Sequence, residues 1–110
     1  MLFRSRFPQH ALANKTKMLS AQCYLRAKDY ERSLAVFEGI AKDPQSDKEI
    51  AAEAMYWAGD ICLQTNKPKD AYRAFKKVTW DYPESKWAKF ARGRLTEDAL
   101  VKAADDEEKQ

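Results

Sequence analysis

The feature that most constrains this chain is that it repeats itself. A shift of 38 residues lays Ala21-Gln22-Cys23-Tyr24 over Gly59-Asp60-Ile61-Cys62, and Phe37 and Ile40 over Phe75 and Val78. A further shift of 34 lays Ala54, Tyr56 and Gly59 over Ala88, Phe90 and Gly93, so that a third, partial unit begins near Lys86. Proline with polar neighbours punctuates the units at Phe7-Pro8-Gln9-His10, Asp43-Pro44-Gln45-Ser46 and Tyr82-Pro83-Glu84-Ser85. Proline ends one helix and pre-sets the start of the next, where Ser46 or Ser85 is expected to cap the orphan amides. Repeats of this length cannot bury an apolar face alone and must stack on their neighbours.

Between the punctuation the apolar period is helical. Met55, Ala58, Gly59 and Cys62 recur at i, i+3, i+4 and i+7, and Ala71, Ala74, Phe75 and Val78 repeat that spacing one helix later. Seventeen Ala against six Val plus Ile support helix over sheet, because Ala loses no side-chain freedom in a helix. The expected helices span about 9–27, 30–42, 47–64, 68–80 and 85–104, with Asp105-Asp106-Glu107-Glu108 a frayed acidic tail over 105–110. The short Thr65-Asn66-Lys67-Pro68 link forces an antiparallel hairpin, in which the missing side chain of Gly59 leaves room for the ring of Phe75. In the first unit Ser20, Ala21 and Tyr24 are expected to face Leu34, Phe37 and Ile40.

These residues resemble the tetratricopeptide repeat. Ala52-Glu53-Ala54-Met55-Tyr56 through Gly59, followed by Ala71, Phe75, Val78 and Pro83, looks like one complete 34-residue repeat. The first unit is a weaker copy, keeping Ala21, Tyr24, Asp29-Tyr30, Phe37 and Ile40 but with Ser33 where the pattern wants Ala. The resemblance implies an all-α, right-handed array of antiparallel helix hairpins in a single domain over 1–104. That domain holds units at about 14–44 and 52–85, closed by one capping helix at about 85–104. Within the family, Tyr56-Trp57-Ala58-Gly59 and Asp81-Tyr82-Pro83-Glu84-Ser85 are similar to strings in the repeat domains of bacterial envelope proteins. Those proteins include the periplasmic coordinator protein of the Tol-Pal system and the outer-membrane assembly lipoproteins. The resemblance therefore implies a periplasmic or envelope location if a leader precedes the chain, and a cytoplasmic one otherwise.

Chemistry of the catalytic kind has no foothold in the sequence. There is no Gly-rich phosphate loop, no Gly-x-Ser-x-Gly elbow, and only one His, so no enzyme activity, cofactor or metal site is expected. Cys23 and Cys62 lie 39 residues apart inside helical apolar patterns and read as two buried free thiols, with a disulfide the alternative. A mean hydropathy of −0.74 and the lack of an 18-residue apolar run remove a membrane span. The opening Met-Leu-Phe-Arg-Ser-Arg has no apolar stretch after it and is not a secretory signal.

What remains is shape. In such an array the first helices of successive units line a concave groove. The inward stripe is Glu53, Tyr56 and Asp60 in the second unit, Lys15, Met18 and Gln22 in the first, and Trp87, Phe90 and Arg94 in the cap. Aromatics with a few polar groups suit a protein or peptide ligand. Tyr56 and Trp87 are the expected anchors, while Met18 and Phe90 are equally suited to sealing adjacent hairpins. With Lys15 and Arg94 the only bases in the groove, a clamp for a ligand's terminal carboxylate is not formed. Two alternatives stand beside the adaptor reading: a segment for self-assembly into a homo-oligomer, and a helical repeat that binds nucleic acid. The last is disfavoured, because Asp29, Asp70 and Asp81 interleave with the clustered Lys and Arg, and the net charge is only +3.

Overall fold

In the computed structural model the backbone is described for residues 9–108 and the side chains for residues 13–105. The Phe7-Pro8 boundary and the side chain of His10 lie outside the described residues. Among the described residues six helices follow one another: α1 (Gln9–Arg26), α2 (Tyr30–Lys42), α3 (Lys48–Gln64), α4 (Pro68–Asp81), α5 (Lys86–Arg94) and α6 (Asp98–Glu108). No strand occurs among the described residues, and each helix packs on the next through α5, so the chain is all-α and built of helix hairpins.

The 38-residue period reappears in the backbone. Lys28 and Asn66, 38 apart, are the only non-glycine residues with positive φ among those described, at 62° and 63°. Each follows a first helix and closes it in the same way. Asp29 N–H donates to Tyr24 O and Lys28 N–H to Leu25 O, while Lys67 N–H donates to Cys62 O and Asn66 N–H to Leu63 O. This paired pattern is the Schellman motif, which needs a left-handed residue where the chain leaves the helix. Asn enters that region at less cost than Lys, so Lys28→Gly is expected to raise stability by about 0.5–1 kcal/mol and Asn66→Gly by less. Urea unfolding midpoints check the order.

Helix starts are capped by side chains. Asp29 accepts from Arg32 N–H at 3.3 Å, Asp47 from Glu49 N–H at 2.9 Å, and Ser85 from Ala88 N–H at 3.1 Å. Ser85 is thus the cap expected for it, whereas at the other boundary Asp47 takes the place expected of Ser46. Ser46 serves tertiary structure instead: its hydroxyl donates to Ile40 O at 2.8 Å and accepts from Asn14 Nδ2 at 3.0 Å. Asn14 also donates to Asp43 at 3.2 Å, which clasps the start of α1 to the end of α2.

Two cores result. One gathers Met18, Ala21, Phe37, Ile40, Ala54, Ala58 and Ile61; the other gathers Ala52, Cys62, Ala71, Phe75, Val78, Ala88, Ala91 and Leu100. Helix α3 feeds both, since Ala58 faces the first hairpin and Gly59 faces Phe75. Burial of Phe37 and of Phe75, each fully enclosed, contributes about 1.5–3 kcal/mol apiece. Ser33 is also fully buried, and its hydroxyl donates to Ala21 O at 2.8 Å, which explains how a polar residue stands where the repeat favours Ala. Ser20, expected to face α2, is exposed.

The expected single capping helix over 85–104 is two helices. Arg94 ends α5, Thr96 Oγ donates to Gly93 O at 2.7 Å, and Glu97 O accepts from Leu100 and Val101 N–H at 2.9 Å to start α6. The reason is geometric. Nine residues separate Ala91 from Leu100, and at ~100° per residue an unbroken helix would point them ~180° apart. The break lets α6 lie on α4 and brings Leu100 into the same core as Ala91. Residues 105–108, expected as a frayed tail, belong to α6.

Candidate functional site

Helices α1, α3 and α5 lie side by side, and the sequence places the expected groove on their shared face. Of the nine residues expected there, the structure brings Tyr56, Trp87 and Phe90 into one ring cluster. Tyr56 lies 5.3 Å from Trp87 and 6.3 Å from Phe90 between ring centroids, and Trp87 lies 5.5 Å from Phe90. Trp57 joins them at 5.3 Å from Tyr56 and 6.0 Å from Trp87. Spacing missed Trp57 as a site residue because it falls beside the i, i+3, i+7 stripe; the signal that would have found it is the adjacency of two large rings opposite a third.

The rings of the cluster differ in exposure. Tyr56 is half-buried and also touches Phe75 at 5.4 Å, so it is anchored in the second core. Phe90 is 48% exposed and is the ring most available to a ligand. The indole N–H of Trp57 donates to Glu53 at 3.2 Å, and Gln22 Nε2 donates to the same carboxylate oxygen at 3.3 Å. Glu53 and Gln22 therefore stitch α1 to α3.

Arg94 is a structural clamp. Its Nη2 pairs with Asp60 at 3.0 Å, its Nε with Glu97 at 2.6 Å, and its Nη1 donates to the Tyr56 hydroxyl at 3.2 Å. The guanidinium carbon sits 5.3 Å from the Phe75 ring centre and 5.8 Å from that of Tyr56. Burial works against its charge, but the hydrogen bonds to Tyr56, Glu97 and Asp60 outweigh it and hold the proton more firmly than in free arginine. Asp60 and Arg94, both expected on the inward stripe, are thus spent on joining α3 to α5.

The first-unit stripe shifts by one residue. Met18 is only 7% exposed and packs in the first core, so it does not line the groove. Leu19, at 64% exposure, is an exposed large apolar residue of α1, and it shares a helix face with Lys15 and Gln22 at i−4 and i+3. Lys15 is exposed, as a groove residue must be.

The thiols divide. Cys62 is buried and Cys23 is exposed, both are free, and the expectation of two buried thiols fails for Cys23, which no helix among the described residues covers. Burial pushes the Cys62 thiol up, with Asp70 and Glu38 adding and Lys67 opposing. Among the described residues no cluster of three or more His, Cys, Asp or Glu is placed to hold a metal, and no helix is long and apolar enough to cross a membrane.

Residues 53–85, which contain most of α3 and all of α4, match the family model of the tetratricopeptide repeat. Neither the curated proteins nor the solved structures give a match.

Proposed function

From a chain that carries a tetratricopeptide repeat over residues 53–85, a module typically used for protein interaction and not for catalysis, we propose a non-enzymatic adaptor. It binds a protein segment on the face formed by α1, α3 and α5. The observation that carries the reading is the ring cluster of Tyr56, Trp57, Trp87 and Phe90, whose rings are tilted to one another and left half-open with Phe90 uppermost. Large rings offer contact area at low entropic cost, and binding energy concentrates on such groups. Trp87 is half-buried, so part of its ring is open to a ligand. Lys86, 5.4 Å from the Trp87 ring centre, supplies a cation at the rim.

The context proposed is a bacterial cell-envelope complex, on the strength of Tyr56-Trp57-Ala58-Gly59 and Asp81-Tyr82-Pro83-Glu84-Ser85. Fractionation of the producing cell checks it: recovery with the cytosol alone removes the envelope reading.

Binding is measured against a panel of envelope-protein segments at two salt concentrations. Phe90→Ala and Trp87→Ala are each expected to weaken it by about 1–3 kcal/mol with helical content unchanged. Tyr56→Ala is the less clean probe, since it also removes a core contact and a partner of Arg94. Lys76→Ala and Lys77→Ala, on α4, are expected to have little effect. Loss of binding through those lysines, with Phe90 and Trp87 dispensable, would transfer the site to the opposite face.

A further inference from the structure

An open cleft lies on the other side of α3, along α2 and reaching α4. One part, of about 520 Å³, is floored by Met55 and Ala58; a second, of about 360 Å³, continues over Ile61 and Thr65. Glu38 borders both parts, so the cleft follows α2 along its whole length, from Tyr30 to Lys42. Thirteen residues of helix are about 20 Å, room for some four turns of a docked helix. Small side chains keep it open: Ala35 and Ala41 on one wall, Ala74 on the other and Ala58 below.

The walls carry charge of a definite pattern. Glu31 and Glu38 stand on the α2 wall seven residues apart, which puts them on one helix face about 10 Å from each other. Neither makes an ion pair among the described residues, although Arg32 next to Glu31 is paired with Asp29. Facing them, α4 presents Lys77 and Arg73, which are already paired with Asp81 at 3.4 Å and Asp70 at 3.6 Å, while Lys67 lies just before α4 and Lys42 closes the far end of the α2 wall. An extended ligand laid on the apolar floor would leave its backbone N–H and C=O groups without partners, whereas a helix satisfies its own.

We propose that this cleft is a second docking surface, whose occupant is an amphipathic helix of a partner protein with an apolar stripe toward Met55 and Ala58 and two basic side chains seven residues apart toward Glu31 and Glu38. The surface is independent of the ring cluster, being formed by α2, α4 and the opposite side of α3. The chain would then hold two partners at once, one on each face.

The probe is a fluorescein-labelled 16-residue helical peptide with leucine and alanine on one face and lysine at two positions seven apart beside it. Its twin carries glutamate at those two positions. Fluorescence anisotropy is expected to show the lysine peptide binding about ten-fold more tightly than its twin at low salt, with the gap closing as salt rises. The double substitution Glu31→Lys/Glu38→Lys, at exposed positions that bear no core contact, is expected to reverse the preference. Ala74→Trp, which fills the cleft from its rim, is expected to abolish binding of the lysine peptide, while Phe90→Ala on the ring cluster leaves it intact. Equal binding of the two peptides, or a preference that survives the double substitution, overturns the proposal. So does loss through Phe90→Ala in place of Ala74→Trp. Concentration-dependent self-association of the chain that Ala74→Trp removes would assign the cleft to a second copy and overturn it as well.

Discussion

Gly59→Leu is expected to lower stability by about 3 kcal/mol, the upper end of what overpacking a core costs. A Cβ built on Gly59 would already lie 2.9 Å from Cε1 and 3.0 Å from Cζ of Phe75, a ring that is fully buried. Even Gly59→Ala is expected to destabilise, although the same change in an open helix gains about 1 kcal/mol. Gly39 and Gly93 provide the contrast. Nothing lies within 4 Å of a Cβ at either, so Ala there is expected to stabilise by about 0.5–1 kcal/mol. Phe75→Ala alone should cost about 3–5 kcal/mol by leaving a cavity. The double variant Gly59→Leu/Phe75→Ala should cost less than the sum by about 1–3 kcal/mol, because the new side chain enters the space the ring vacates. Thermal unfolding of the four chains measures this coupling; strict additivity would mean that the two residues do not share one volume.

Arg94→Met is expected to cost about 2–3 kcal/mol, although Met keeps most of the aliphatic length. The loss is electrostatic: the Asp60 side chain is only 14% exposed and would keep Gln64 Nε2, at 3.1 Å, as its remaining partner. Removing one member of a largely desolvated pair leaves the other charge uncompensated, which costs more than the pair itself contributes. Adding Asp60→Asn to Arg94→Met should therefore restore a good part of the stability. Arg94→Lys should restore little, because one ammonium cannot reach Asp60, Glu97 and Tyr56 in the planar fork that guanidinium presents. Urea unfolding at low and high salt checks both expectations, and an Arg94→Met chain as stable as the parent would return Arg94 to the groove as a free ligand-binding charge.

For the binding proposed above, the consequence is that the face with the ring cluster is tied together across its helices. Glu53 holds Gln22 and Trp57, Arg94 holds Asp60, Glu97 and Tyr56, and these ties run across α1, α3 and α5. Preorganised rings bind with less entropy lost than rings that must be ordered by the ligand.

Sequence by itself determined the local and the periodic. The proline and polar punctuation places five helix starts within a residue or two, since caps and breakers act through their own backbone. Spacing at i, i+3 and i+4 decides which side chains share a face, so the meeting of Gly59 with Phe75 follows from two helical stripes and a short link. Periodicity stops there. It cannot say which of two neighbouring hairpins covers a face, and the arrangement of the hairpins alone sent Met18 inward to Phe37 and Ile40 while Leu19 stayed in water. The same holds for Cys23, apolar in pattern but exposed, with no helix among the described residues covering it. The break at residues 95–97 was decided by the need to bring Leu100 onto α4, a long-range demand that the local preference for continuing helix could not meet. Arg94 and Asp60, each a plain surface charge when read along its own helix, became partners only when α5 was laid against α3 and water was removed from between them.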